Sequence, residues 1–267
     1  MIISIINQKG GVGKTTSVIN IGYSMALLGK KVLLVDLDPQ ANLTSGVGIK
    51  PTDFKHSIYE VLTNNIEITQ VILNLAKNVA ISLIPSTIEL AGAEVELVNL
   101  ISRESILKRK LSNIVSLYDI VFIDCPPSLG LLTINALTAS QKFIIPVQAE
   151  YYALEGLTHL LNTFKLIKDS VNNELDILGI LITMYDNRTN LSKDVKDELE
   201  KFMPELVFKS IIPRNIKLSE APSRGLSIFD YAPNSIGADS YRKLALEILD
   251  RIYKNKLIKP LNLDIKT

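Results

Sequence analysis

An apolar, β-branched run over residues 2–7 leads straight into Gln8-Lys9-Gly10-Gly11-Val12-Gly13-Lys14-Thr15-Thr16, where helical spacing of apolar residues begins. A strand that turns through glycines into a helix is built to hold an anion. Glycine lets successive backbone N–H groups converge without a Cβ in the way, and the helix N-terminus adds its partial positive charge. In such a loop Lys14 reaches the β and γ oxygens of a bound triphosphate, Thr15 offers a hydroxyl to Mg²⁺, and Gly10, Gly11, Val12, Gly13 and Thr16 complete the cradle. The string departs from the common G-x-x-x-x-G-K-[ST] form in two ways. Gln8 stands where the first glycine is expected, and an additional lysine, Lys9, sits beside it.

The rest of the chain supplies a frame for that loop. Short β-branched runs at 31–36, 81–84, 120–124, 143–147 and 178–183 alternate with helix-period stretches at 15–28, 97–117, 131–139, 154–169 and 192–202, and a last helix is expected near 235–254. This is the βαβ rhythm of an α/β protein: one doubly wound, mostly parallel sheet with helices on both faces, the fold of P-loop NTPases. Gly29 and Pro204 fall where the helices before them should end. No repeat or Gly/Ser-rich linker divides the chain, so one domain over 1–254 with a short tail at 255–267 is expected.

Two of the strands finish in acids. The run Val32-Leu33-Leu34-Val35 ends in Asp36-Leu37-Asp38-Pro39, and Ile120-Val121-Phe122-Ile123 ends in Asp124-Cys125-Pro126. Ligands of open parallel sheets lie beyond the carboxyl ends of the strands, so all three carboxylates are expected near the phosphates. Asp124 is the expected Mg²⁺ holder through water, Asp38 the group that orients or deprotonates the attacking water, and Asp36 an influence on the metal's outer shell. The catalytic candidates are therefore Lys9, Lys14 and Asp38, and the metal candidates Thr15, Asp36 and Asp124.

Composition narrows the setting. Twenty-nine Lys and Arg against twenty-eight Asp and Glu give a net charge of +1, so any grip on nucleic acid must be a local patch. The single cysteine, Cys125, cannot form an internal disulfide, and one cysteine with two histidines is too few for a zinc site of the usual N/S kind. The N-terminus lacks a basic n-region and no apolar run reaches a membrane span, so a cytoplasmic setting is expected.

Taken together, Lys9-Gly-Gly-Val-Gly-Lys-Thr-Thr16, Val35-Asp-Leu-Asp-Pro-Gln40 and Ile123-Asp-Cys-Pro-Pro-Ser-Leu-Gly130 resemble the deviant-P-loop ATPases of the ParA/MinD superfamily. Leu90-Ala-Gly-Ala-Glu-Val-Glu96, Glu150-Tyr-Tyr-Ala-Leu-Glu-Gly156, Thr183-Met-Tyr-Asp-Asn-Arg-Thr-Asn-Leu191 and Ile212-Pro-Arg-Asn-Ile-Lys-Leu-Ser-Glu-Ala-Pro-Ser223 resemble its chromosomal ParA, or Soj, branch. The resemblance implies an ATP- and Mg²⁺-dependent hydrolase that dimerises on ATP, with Lys9 of each subunit reaching the other's nucleotide. It also implies that Pro213 and Asn215 lie in the loop that holds adenine. It further implies non-specific binding of double-stranded DNA through Arg188 and Lys217, stimulation by a ParB-type centromere-binding partner, and residence on the nucleoid. Larger relatives carry a helix-turn-helix ahead of the ATPase, whereas the first strand here is expected at Ile2, so sequence-specific repression is not expected.

A MinD-like membrane-cycling ATPase is the alternative. It needs a C-terminal amphipathic helix, and the tail from Asn255 contains Pro260 and Asp264 with only a weak apolar face, so no membrane partner is expected. A nitrogenase-reductase-like role needs two cysteines per subunit, and Cys125 stands alone.

Overall fold

The computed structural model describes residues 1–64, 66–76, 78–150 and 153–254; the expected tail, 255–267, lies outside the described residues. Among the described residues seven strands form one sheet: β1 (Ile2–Ile5), β2 (Val32–Asp36), β3 (Leu73–Asn74), β4 (Ile81–Ile84), β5 (Ile120–Asp124), β6 (Lys142–Gln148) and β7 (Asp176–Thr183). Their order is β3-β4-β2-β5-β1-β6-β7, all parallel except the two-residue edge strand β3. The helices are α1 (Lys14–Leu27), α2 (Asn42–Gly46), α3 (Ile58–Thr63), α4 (Leu90–Glu96), α5 (Ile106–Ser112), α6 (Leu131–Ala139), α7 (Ala153–Ser170), α8 (Asn190–Phe202), α9 (Ile216–Ser223), α10 (Ile228–Tyr231) and α11 (Ile236–Lys254).

Every strand of the sheet's centre is buried on both faces, which is why its residues read as unbroken apolar runs. Side chains alternate between two cores. Leu33, Val35, Val121 and Ile123 pack with α3 to α8, while Val32, Leu34, Ile120 and Phe122 pack with α1, α10 and α11. α1 lies so close to β2 that a Cβ on Gly22 would meet Leu34 at 2.6 Å. The sheet is thereby fixed beneath the helix that carries the glycine loop.

The helix expected over 97–117 is not continuous. Leu97–Asn99 and Arg103–Ser105 form 3₁₀ turns, Ser102 takes the left-handed conformation at φ 53°, and only Ile106–Ser112 is α-helical. A tertiary contact replaces the helix's own bonds here. The Asn135 carboxamide of α6 accepts from Leu107 N at 3.1 Å and donates to Arg103 O at 2.8 Å. Ile101, between the two 3₁₀ turns, is exposed.

Beyond β7 the chain returns beside it over residues 206–213. Phe208 N donates to Ile180 O at 2.9 Å, Ile212 N to Ile182 O at 2.9 Å and Arg214 N to Tyr185 O at 3.0 Å. Arg251 of α11 holds this return in place, donating to Leu178 O and Leu206 O at 3.0 Å and to Val207 O at 2.7 Å, with its guanidinium over the Phe208 ring. The segment Pro213–Asn215 is thus delivered to the carboxyl end of the sheet.

Candidate active site

β1 pairs with β5 so that Ile5 faces Asp124, and β2 pairs with β5 so that Asp36 also faces Asp124. The glycine loop and both acid-tipped strands therefore end side by side. Gly11 and Gly13 adopt φ of 75° and 86°, a region where an L side chain is strained, and Gly13 is the N-cap of α1. Around the loop lies a cavity of about 530 Å³ whose walls include Gly11, Lys14, Thr15, Asp38, Gln40 and Pro127. An adjoining cavity of about 210 Å³ is bounded by Thr183, Met184, Pro213, Asn215, Leu218 and Tyr241. Gly13, Thr16 and Met184 line both.

Lys14 is 7% exposed, and its Nζ donates to Lys9 O at 3.2 Å. Burial pushes its pKa down, while Asp124 opposes that shift. Thr15 Oγ1 donates to Asp124 Oδ2 at 2.6 Å. The other oxygen, Asp124 Oδ1, is buried and has no hydrogen-bond partner among the described residues. Burial raises the Asp124 carboxyl well above the usual carboxylate range, and neighbouring Asp36 raises it further.

That unpartnered oxygen is the test of whether a divalent cation fits. A buried carboxylate left unsatisfied is costly, and a cation supplied with its own water would relieve it. No group of three or more His, Cys, Asp or Glu side chains able to hold a metal occurs among the described residues. Mg²⁺ does not require one, because it keeps several waters and takes the remainder from a carboxylate, a hydroxyl and substrate phosphates. Thr15 and Asp124 therefore suit Mg²⁺ and would not by themselves hold a soft metal.

The other expected site residues fall into distinct places. Asp36 is fully buried, and its oxygens are taken: Oδ2 accepts from Thr44 N at 2.8 Å and Thr44 Oγ1 at 2.7 Å, and Oδ1 accepts from Asp38 N at 3.2 Å. Burial still pushes its pKa up to about 7 against those bonds. Asp38 borders the phosphate cavity; its Oδ1 accepts from Gln40 N at 2.9 Å and its carbonyl from Ser86 Oγ at 2.9 Å. Lys9 lies on the rim, half exposed. Its N–H donates to Asn7 Oδ1 at 2.9 Å and its ammonium to Glu150 at 2.6 Å. Asn7 in turn donates to Pro146 O at 2.6 Å, tying the rim to β6.

Pro213 and Asn215 border the smaller cavity, where Asn215 Oδ1 also caps α9 by accepting from Lys217 N at 2.8 Å. Arg188 and Lys217 lie on the surface, each paired with an acid of its own chain. Arg188 grips Asp186 through two nitrogens at 2.9 and 2.7 Å, holding that carboxyl well below its usual range. Lys217 donates to Glu220 at 2.9 Å. Cys125, next to the metal candidate, is a buried thiol whose pKa burial raises.

Sequence reasoning missed Thr183. At the end of β7 its Oγ1 donates to Val12 O at 2.8 Å, and its methyl lies 3.8 Å from where a Cβ on Gly13 would be. Those partners are 171 residues apart, and no local pattern announces the contact.

Comparison with known proteins adds to this geometry. The family described as an AAA domain matches residues 1–177. The chain is 53% identical over 248 residues to the sporulation initiation inhibitor protein Soj of Bacillus subtilis, covering 92% of this chain and 97% of that one. It is 49% identical over 246 residues to the chromosome-partitioning ATPase Soj of Treponema pallidum, covering 92% and 96%. Among solved structures, the cobyrinic acid a,c-diamide synthase of Mycobacterium smegmatis with bound ATP analog and magnesium superposes with a TM-score of 0.83 at 37% identity, covering 98% of this chain and 99% of that one.

Proposed function

This chain belongs to the Soj/ParA family of chromosome-partitioning ATPases, and from that premise we propose that it binds and hydrolyses ATP with Mg²⁺ and uses the nucleotide to switch a DNA-bound dimer. One observation supports the reading: the buried Asp124 carboxylate, with one oxygen engaged by Thr15 and the other without a partner among the described residues, ends β5 beside a glycine loop that lines a cavity of about 530 Å³.

The amides of Gly10 to Thr16 and the α1 N-terminus receive the phosphates, and Lys14 neutralises the β and γ oxygens. Thr15 and Asp124 would hold the cation, which when bound would supply positive charge against the negative charge that develops on the phosphates. Asp38, at the cavity wall, orients the water that attacks and accepts its proton. Asp36 acts on the metal's surroundings at one remove, through the Asp38 main chain it anchors. The Pro213–Asn215 segment receives the purine.

In one subunit Lys9 is engaged by Glu150 and does not line the phosphate cavity. A second subunit facing the first across the bound nucleotide would bring its own Lys9 to the γ-phosphate, so a lone subunit hydrolyses slowly. Arg188 and Lys217 contact DNA phosphates without reading sequence, and a ParB-type partner accelerates hydrolysis and release on the nucleoid. Among the described residues no helix is long and apolar enough to cross a membrane.

Sizing the protein with ADP, with Mg²⁺–ATP and with a non-hydrolysable analogue, each with and without duplex DNA, tests the whole reading. The expected result is a dimer only with the triphosphates, retained on DNA with a salt-dependent affinity. A monomer that hydrolyses ATP rapidly contradicts the role of Lys9, and charge removal at Arg188 and Lys217 with an unchanged salt slope places the DNA surface elsewhere.

A further inference from the structure

The two cavities of the site meet at one place. Gly13, Thr16 and Met184 each line both the phosphate cavity and the smaller one beside Pro213. Gly13 and Thr16 belong to the glycine loop itself, whereas Met184 arrives from the far end of the sheet, just after β7. It does so in an unusual conformation. Met184 has φ 52°, the left-handed region that side chains other than Gly, Asn and Asp seldom occupy, and it is one of three such residues among those described.

Its neighbours explain how the strain is sustained. Thr183 is bonded to the Val12 carbonyl at 2.8 Å. On the other side, Tyr185 N donates to Ile212 O at 3.1 Å, and Arg214 N donates to Tyr185 O at 3.0 Å. The turn 183–185 is therefore fixed to the phosphate loop at one end and to the 212–214 segment at the other, and Met184 lies between these two anchors at its positive φ. A strained residue held by over-determined surroundings at the junction of two cavities is a candidate for function.

Resting on the reading that a nucleoside triphosphate spans these cavities, we propose that Met184 is the residue that meets the sugar of the bound nucleotide, and that Thr183 positions it there. A nucleotide with its phosphates in the larger cavity and its base in the smaller must pass its ribose through the junction. A thioether side chain is a suitable wall for the apolar edge of a sugar, because it is flexible, polarisable and free of hydrogen-bonding demands. The hydroxyl of Thr183 fixes the turn relative to the glycine loop, so that sugar and phosphates are held in one register.

Calorimetric titration of ATP into the wild-type protein and into M184A, M184L, T183V and T183S tests this, with melting temperatures measured in the absence of nucleotide. M184A is expected to weaken ATP binding about fivefold to tenfold, the scale of one lost apolar contact, while the nucleotide-free melting temperature stays within a degree or two of wild type. M184L should bind within about twofold of wild type. T183V should weaken binding by a similar factor and T183S should restore it. ATP affinity in M184A equal to that of the wild type overturns the proposal while leaving ATP binding intact. So does a loss in M184A that M184L does not repair. A wild-type protein that takes up no ATP sinks this inference together with the functional reading it rests on.

Discussion

The carboxyl ends of β2 and β5 look alike in sequence and do different work. Each is a buried apolar strand ending in aspartate, and the two aspartates are partners in register on adjacent strands. Asp36 has spent its oxygens on Thr44 and the Asp38 amide, whereas Asp124 keeps one oxygen on Thr15 and the other without a partner among the described residues. The difference separates a carboxylate that builds the loop from one that waits for a ligand. Both have raised pKa values because both are buried, so the shift alone does not distinguish them. Hydrogen-bond completeness does.

The same substitution at the two positions should therefore have opposite consequences. Asp124→Ala is expected to abolish Mg²⁺-dependent tightening of ATP binding and to lower hydrolysis by at least about a hundredfold. The nucleotide-free protein should melt no lower than wild type, because one of two crowded buried carboxylates has gone. In the wild type, chelating Mg²⁺ should remove most of the thermal stabilisation that ATP confers, and in Asp124→Ala chelation should change little. A large loss of nucleotide-free stability in this variant would make Asp124 structural and erase the comparison.

Asp38 stands between the two cases, with its main chain in the Asp36 network and its side chain at the cavity. Asp38→Ala should keep ATP affinity within a few-fold while hydrolysis falls by about a hundredfold or more, the range for losing a general base. Sizing would then find an ATP-bound dimer that persists. If ATP affinity collapsed with hydrolysis, Asp38 would belong with Asp36 as a builder of the loop.

Much of this was legible in the residues themselves. The parallel sheet, the glycine loop and the acid-tipped strands are written in local runs, because a strand buried on both faces must be apolar throughout and an anion cradle must be rich in glycine. What was not legible depends on partners distant in the chain. Asp124 meets Thr15 from 109 residues away, and although Thr44 is only eight residues past Asp36, no periodic pattern announces that its amide and hydroxyl fold back onto that carboxylate. The break in the 97–117 helix depends on Asn135, some thirty residues on. The antiparallel edge strand β3 is two residues long, too short for any periodicity to show. Thr183 and Met184 gain their place only when β7 is laid beside the glycine loop.

Asp36→Ala should be felt mainly in stability. It leaves Thr44 N and Asp38 N, both buried, without their acceptor, at about 1–3 kcal/mol for each unsatisfied donor, partly offset by removing a buried charge. A net loss of about 2–3 kcal/mol, or roughly 5–10 °C in Tm, is expected in the nucleotide-free protein. Nucleotide affinity should fall less than in Asp124→Ala when both are measured well below their melting temperatures. Equal and selective loss of Mg²⁺–ATP binding in the two variants would show that Asp36 acts on the metal as directly as Asp124.

The smallest effect probes the network rather than the charge. Thr44 Oγ1 donates to Asp36 and accepts from Ser86 N at 3.0 Å, and Ser86 Oγ reaches the Asp38 carbonyl, so one hydroxyl links the ends of β2 and β4 behind the cavity. Thr44→Val keeps the shape and removes that link. Asp36 retains the Thr44 and Asp38 amides, and only Ser86 N loses its partner, so a loss of about 1 kcal/mol and about 3 °C in Tm is expected. Hydrolysis should fall by no more than a few-fold, since the Asp38 side chain itself is untouched. A hydrolytic defect approaching that of Asp38→Ala, with Tm unchanged, would mean that the β2 end sets the attacking water's geometry through this hydroxyl, and the division between building and ligand-binding carboxylates would have to be redrawn.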